Sequence, residues 1–136
     1  MMKHVIIPYD LLMTFVSIMK QAESEVVGFL IGSKAGDAII VNELILCENE
    51  DRSPYSFKVH PNAVLKAHEI AESYGLDIIA IIHSHPGPPY PSVMDLGGMK
   101  LWGIPWIIVD RLSHEVRAWE LNGGKAVELE LMSTPK

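Results

Sequence analysis

A single cysteine, Cys47, is the whole thiol content of the chain. One thiol excludes an intramolecular disulfide and a thiolate metal cluster. Cys47 follows the apolar segment Ile39 to Leu46, so the expectation is a half-buried structural thiol and not a nucleophile. Long apolar runs are also missing. The longest, Ile78 to Ile82, is strand-sized, far short of the ~20 residues that a membrane-spanning helix needs. The opening segment Met1 to Pro8 lacks the apolar stretch and small-residue cleavage site of a signal peptide, so a cytoplasmic protein is expected. No cluster of Lys or Arg stands out among the 11 in the chain, against 17 Asp and Glu, for a formal net charge of −6. Nucleic acid would want a basic stripe to replace phosphate counterions, so it is not expected as a partner. What is present is globular: 136 residues, 49% apolar and 21% charged, which suits one domain over 1–136 with one core.

Val5-Ile6-Ile7 reads as a short strand stopped by Pro8. Asp10 is placed to cap a helix whose apolar positions (Leu11, Leu12, Phe15, Val16, Ile18, Met19, Ala22) form one broad face. Val26 to Ile31 and Ala38 to Leu46 read as strands of a hairpin around Gly32 to Asp37. The polar stretch Cys47 to Tyr55 is a loop, and Phe57 to Val59 a short strand. Pro61 opens a helix running to about Tyr74, ended by Gly75, with Val64, Leu65, His68, Ala71 and Tyr74 facing inward. After Asp77, Ile78 to Ile82 is apolar at every position, as in a strand covered on both faces. Ser92 to Asp95 is a helix start, and Ile104 to Val109 another buried strand. Val116 to Leu121 and Ala126 to Leu131 flank the hairpin turn Asn122-Gly123-Gly124. Together these predict an α/β sandwich with a mixed sheet, helices packed on it, and no internal repeat.

The chemistry gathers at the end of the apolar strand. His83 and His85, two apart on an extended chain, leave the same face of the sheet. Asp95, in the first turn of a helix capped by Ser92, is the nearest third ligand. Two histidines and a carboxylate leave one tetrahedral position open, the ligand count of a catalytic zinc site and not of a closed structural one. Hydrolysis also needs a proton carrier, and a carboxylate near the metal can serve. Glu25, read as the start of the Val26 strand, is suited to that if its strand lies beside the histidines.

The order Glu25-x-x-Gly28-x-Leu30-x-Gly32, His83-Ser84-His85-Pro86, Pro91-Ser92-x-x-Asp95 resembles the JAMM (MPN+) metalloproteases over nearly the whole chain. The resemblance implies a cytidine-deaminase-like α/β sandwich with a largely antiparallel mixed sheet and flanking helices. It implies Zn2+ on His83, His85 and Asp95. Glu25 would be general acid/base through the zinc-bound water, and Ser92 would stabilise the oxyanion. The substrate it implies is a ubiquitin-like modifier or sulfur-carrier protein, cut at the amide or isopeptide bond after its C-terminal glycine. Nine residues, Pro86 to Met94, separate His85 from Asp95, where the motif usually has ten. Since Ser92-x-x-Asp95 is intact, the shortening falls in Gly87 to Pro91, and the loop must deliver Asp95 by a tighter path.

Plainer readings stand beside these. Ser92-x-x-Asp95 is also a capping-box pattern. Glu23 carries the same carboxylate as Glu25, but the Gly28 and Leu30 pattern favours Glu25. His68 reads as a core histidine, and His4, His60 and His114 as exposed. Trp102, Trp106 and Trp119 read as packing residues. Two other functions remain open: a non-catalytic MPN interaction scaffold, and a zinc hydrolase of small peptides or amides. A homodimer through strand edges is also open.

Overall fold

The computed structural model describes residues 3–47, 49 and 59–135. The elements run β1 (His4–Pro8), α1 (Tyr9–Gln21), β2 (Val27–Ala35), β3 (Ala38–Cys47), α2 (Pro61–Ser73), β4 (Asp77–His85), α3 (Val93–Trp102), β5 (Trp106–Asp110), β6 (Val116–Asn122) and β7 (Lys125–Thr134). The strand order is β1-β3-β2-β4-β5-β6-β7, and β7 returns to pair with β1. The mixed α/β architecture stands, and among the described residues the expected sandwich takes the form of a closed seven-strand barrel with three helices. Closure follows from β1 pairing in parallel with both β3 and β7, which covers edges that an open sheet would leave unpaired. The sheet is mixed as expected: β4–β5 is also parallel, and the other four pairings are antiparallel.

All seven strands and α1 contribute to one core cluster, with Phe15 and Met19 of α1 fully buried among Val5, Leu30, Ile82, Ile107 and Leu129. The other side of β2, β4 and β5 forms a second cluster, where Phe29, Ile81 and Ile108 meet Ala67 and Ala71 of α2 and Met99 of α3. Alternation produces this division, since successive strand residues face opposite sides. Leu30 looks to one cluster, and Val27, Phe29 and Ile31 to the other. Gly32 marks a close approach, because a Cβ there would collide with the carbonyl oxygen of Ile40.

Several local expectations shift. Pro8 is the N-cap of α1, and Asp10 lies in its first turn, where its charge meets the exposed N–H end of the helix. Ile18 is on the exposed side. The first hairpin turn shrinks to Gly36-Asp37, because β2 stays paired as far as Ala35 with Ala38. On α2, the buried stripe runs through Ala67 and Ala71, while Leu65 and Tyr74 are exposed. His68 is exposed too, and is not a core histidine. Alanine lets the helix sit close on the sheet, so the small residues define the inner face. Of the expected Phe57–Val59 strand, 57 and 58 lie outside the described residues, and Val59 is in no strand.

Candidate metal centre

Three segments meet where β4 ends: the lead into β2, the end of β4, and the first turn of α3. Val27 pairs with His83, which brings the residues before β2 alongside the histidines. Glu25 lies two residues ahead of β2 and does not start it. It is held there by a reciprocal pair, Val26 N–H to Ser84 Oγ at 2.8 Å and Ser84 N–H to Val26 O at 2.9 Å. Asn49 adds a bond to the Glu25 carbonyl at 2.9 Å. The Glu25 carboxylate is thereby buried at 3% exposure, and Glu23 is exposed.

His83 is fully buried. Its Nδ1 lies 2.6 Å from Glu25 Oε1 and 3.1 Å from the Ser84 carbonyl oxygen. Both partners accept hydrogen bonds, so Nδ1 carries the proton and Nε2 is turned toward Asp95, 3.5 Å from Oδ1. His85 repeats the arrangement with different partners. Its Nδ1 donates to the Pro88 carbonyl at 3.1 Å, and its Nε2 lies 3.1 Å from Asp95 Oδ2. The two rings stand edge to face with centroids 5.6 Å apart, and Trp106 packs on His83 at 5.3 Å. Gly98 of α3 makes room for that indole, since a Cβ there would run into the Trp106 ring.

Asp95 is fixed by a complete capping box. Its N–H donates to Ser92 Oγ at 3.0 Å, and Oδ2 accepts from Ser92 N–H at 2.9 Å. Burial pushes the Asp95 carboxyl up, but hydrogen bonding from His85 and the charges around it hold it below the usual range. The Asp95 bond in turn raises His85 above an ordinary imidazole, against a smaller lowering by burial. Both shifts describe one ion pair. At the next strand, Asp110 of β5 pairs with His85 and closes the following turn, accepting from Leu112 N–H at 2.8 Å. Cys47 takes no part, and burial pushes its thiol up to about 11.

A family profile described as prokaryotic homologs of the JAB domain matches residues 14–122. The chain belongs to that family. This JAB-domain protein is 37% identical, over 86% of its own length and 81% of the relative's, to a desampylase of Pyrococcus furiosus. It is 33% identical to a Thermus thermophilus protein named "Probable TtuB-protein conjugate cleaving protease", over 85% and 74% of the two chains. A solution structure of a Desulfitobacterium hafniense protein shares the fold at TM-score 0.84 and 21% identity, covering 97% of this chain and 94% of that one.

The donor set of the JAB-domain protein suits a zinc ion in chemistry. Two Nε2 atoms face one carboxylate at 3.1 and 3.5 Å, near the ~3.4 Å edge that tetrahedral bonds of ~2.1 Å would give. Glu25 Oε2 is buried with no hydrogen-bond partner among the described residues. Yet among those residues no three His, Cys, Asp or Glu side chains are set as a ready metal-holding group. Asp95 is hydrogen-bonded directly to His85 and lies 3.5 Å from His83 Nε2. Ser84, Asn49 and the Pro88 carbonyl escaped the sequence reading. Only Ser84 left a signal, as a polar residue inside a buried strand.

Proposed function

We propose that the chain is a zinc metalloprotease that cuts the amide or isopeptide bond after the C-terminal glycine of a ubiquitin-like modifier or sulfur-carrier protein. One observation carries this reading: Glu25, His83, His85 and Asp95 lie together at the C-terminal end of β4, each within 3.5 Å of another of the four. The family, and relatives named for desampylation and conjugate cleavage, support it.

His83 and His85, through Nε2, and the Asp95 carboxylate would hold the metal. When bound, zinc would polarise the scissile carbonyl and lower the pKa of a water from ~15.7 to ~7. Glu25 Oε1 is occupied by His83, so Oε2 is the oxygen that would take the attacking water's proton and return it to the leaving amine. Ser92 Oγ already accepts from Asp95 N–H, and its own O–H proton would serve the carbonyl oxygen as charge builds there. A cavity of about 480 Å³, walled by Phe29, Ile81, Trp102 and Trp106, opens beside Asp95 and would receive the modifier's tail. An extended tail could also add to β3, whose partner β1 covers only Ala38 to Ile40.

The cytoplasm, a single domain over 1–136 and a homodimer belong to the same proposal. Barrel closure leaves few strand edges for a dimer, and sedimentation would decide it. The alternative is a non-catalytic MPN scaffold. Metal content separates the two, by elemental analysis of wild type beside His85→Ala. About one zinc per wild-type chain and little in the variant, with cleavage of a modifier fusion, is expected. A wild type that cannot be loaded supports the scaffold. Cleavage of short peptides but not of fusions supports the small-peptide hydrolase.

A further inference from the structure

Four of the six residues from Pro86 to Pro91 are proline. Proline has no N–H, so this loop can be tied down almost only by its carbonyls. Two adjacent carbonyls do this. Pro88 O accepts from His85 Nδ1–H at 3.1 Å and from Tyr90 N–H at 2.8 Å. Pro89 O accepts from the indole N–H of Trp119 at 2.9 Å, in a buried bond. Trp119 is itself fixed by the sheet, opposite Trp106 in the β5–β6 register. The next residue outward, Tyr90, packs on the Trp119 ring at 5.3 Å and carries the Arg117 guanidinium 5.2 Å over its own ring. Arg117 is held by Glu115 and Glu128.

We infer that Trp119 is a positioning residue for the metal ligand His85, acting through the Pro88-Pro89 segment. The indole anchors the Pro89 carbonyl, and this sets where the neighbouring Pro88 carbonyl stands. That carbonyl keeps the proton on His85 Nδ1 and leaves Nε2 to face Asp95. Acceptors behind a ligating histidine are known to fix its tautomer and orientation in this way. The indole bond is thus a sheet-borne support for the shortened loop, which has few amide N–H groups to support itself. The inference rests on the zinc reading above.

The test is Trp119→Phe, which keeps an aromatic ring on β6 and removes the N–H. Zinc affinity, measured by chelator competition, is expected to fall about 10–100-fold. The visible absorption of the cobalt-loaded protein should change shape, as a displaced imidazole requires. In the metal-free protein, the His85 Nδ1 proton should exchange slowly in the wild type and quickly in the variant. Wild-type zinc affinity and cobalt spectrum in the variant, with that proton equally protected in both, would overturn the inference. Should Trp119→Phe not fold, 3-benzothienylalanine at position 119 removes the same N–H in a ring of indole shape. A wild type that takes up no metal sinks the zinc reading alone. The proton-exchange comparison then still decides for or against Trp119.

Discussion

The two walls of the site are built on different principles. On one wall, Glu25 and His83 are held by sheet register: the Val26–Ser84 pair extends the β2–β4 ladder right up to the carboxylate. On the other, the His85 backbone still pairs with β5, but its ring and Asp95 are placed by a proline-rich loop tied through one indole and two carbonyls and by a helix cap. The first wall is almost closed to solvent, whereas the His85 side chain keeps 17% exposure. Register fixes an atom by many shared bonds, and a loop fixes it by a few. The loop wall is the more exposed of the two.

Glu25→Gln should be the largest break. It leaves an oxygen for His83 Nδ1–H but no group that can carry a proton, so cleavage should drop ~10²–10⁴-fold with metal content unchanged. Turnover near wild type would remove Glu25 from acid–base work. Ser92→Ala strikes the loop wall. Losing the cap should cost about 1 kcal/mol, and losing an oxyanion donor should lower kcat by a further ~10²–10³-fold. A stability loss at unchanged kcat would leave Ser92 as a cap only.

Ser84→Ala should weaken the strand wall without touching a donor atom of the site. It orphans the Val26 N–H, at about 1–3 kcal/mol, read as a lower urea midpoint. A wild-type midpoint would show that the ladder survives without the hydroxyl. The smallest effect concerns Asp110. Burial raises its carboxyl, but bonds from Leu112 N–H and Ser113 outweigh that and hold it below its ordinary value. A depressed carboxyl stabilises above the unfolded pKa of ~3.9, and that share is lost as pH falls through the folded value. Asp110→Asn should therefore lie below wild type in stability near neutrality and converge with it in acid. Parallel curves across the pH range would count against this.

The strand wall was largely legible in the sequence, and the loop wall only in part. Ile78 to Ile82 announces a buried strand, so the residues at its end announce a site. Ser92 and Asp95 were readable both as cap and as ligand, and the structure shows the cap directly. The support from Trp119 was not legible, because an indole-to-carbonyl bond spanning Pro89 to Trp119 leaves no periodicity. Barrel closure was hidden for a related reason. It depends on His4 meeting Glu130, a pairing that no local pattern encodes. The inner face of α2 was misread because Ala67 carries little hydrophobic weight, although small size is what lets that helix approach.

Closure also sets a schedule for the chain. β1 cannot be flanked on both sides until residues 130–134 of β7 exist. Pairings so distant in sequence are slow to form, because the chain between them must first be ordered. During synthesis the β2–β3 hairpin and β4 can assemble early, bringing Glu25 and His83 together while the ring is still open. The site's inner half thus needs only the chain up to β4, whereas the barrel needs β7 as well.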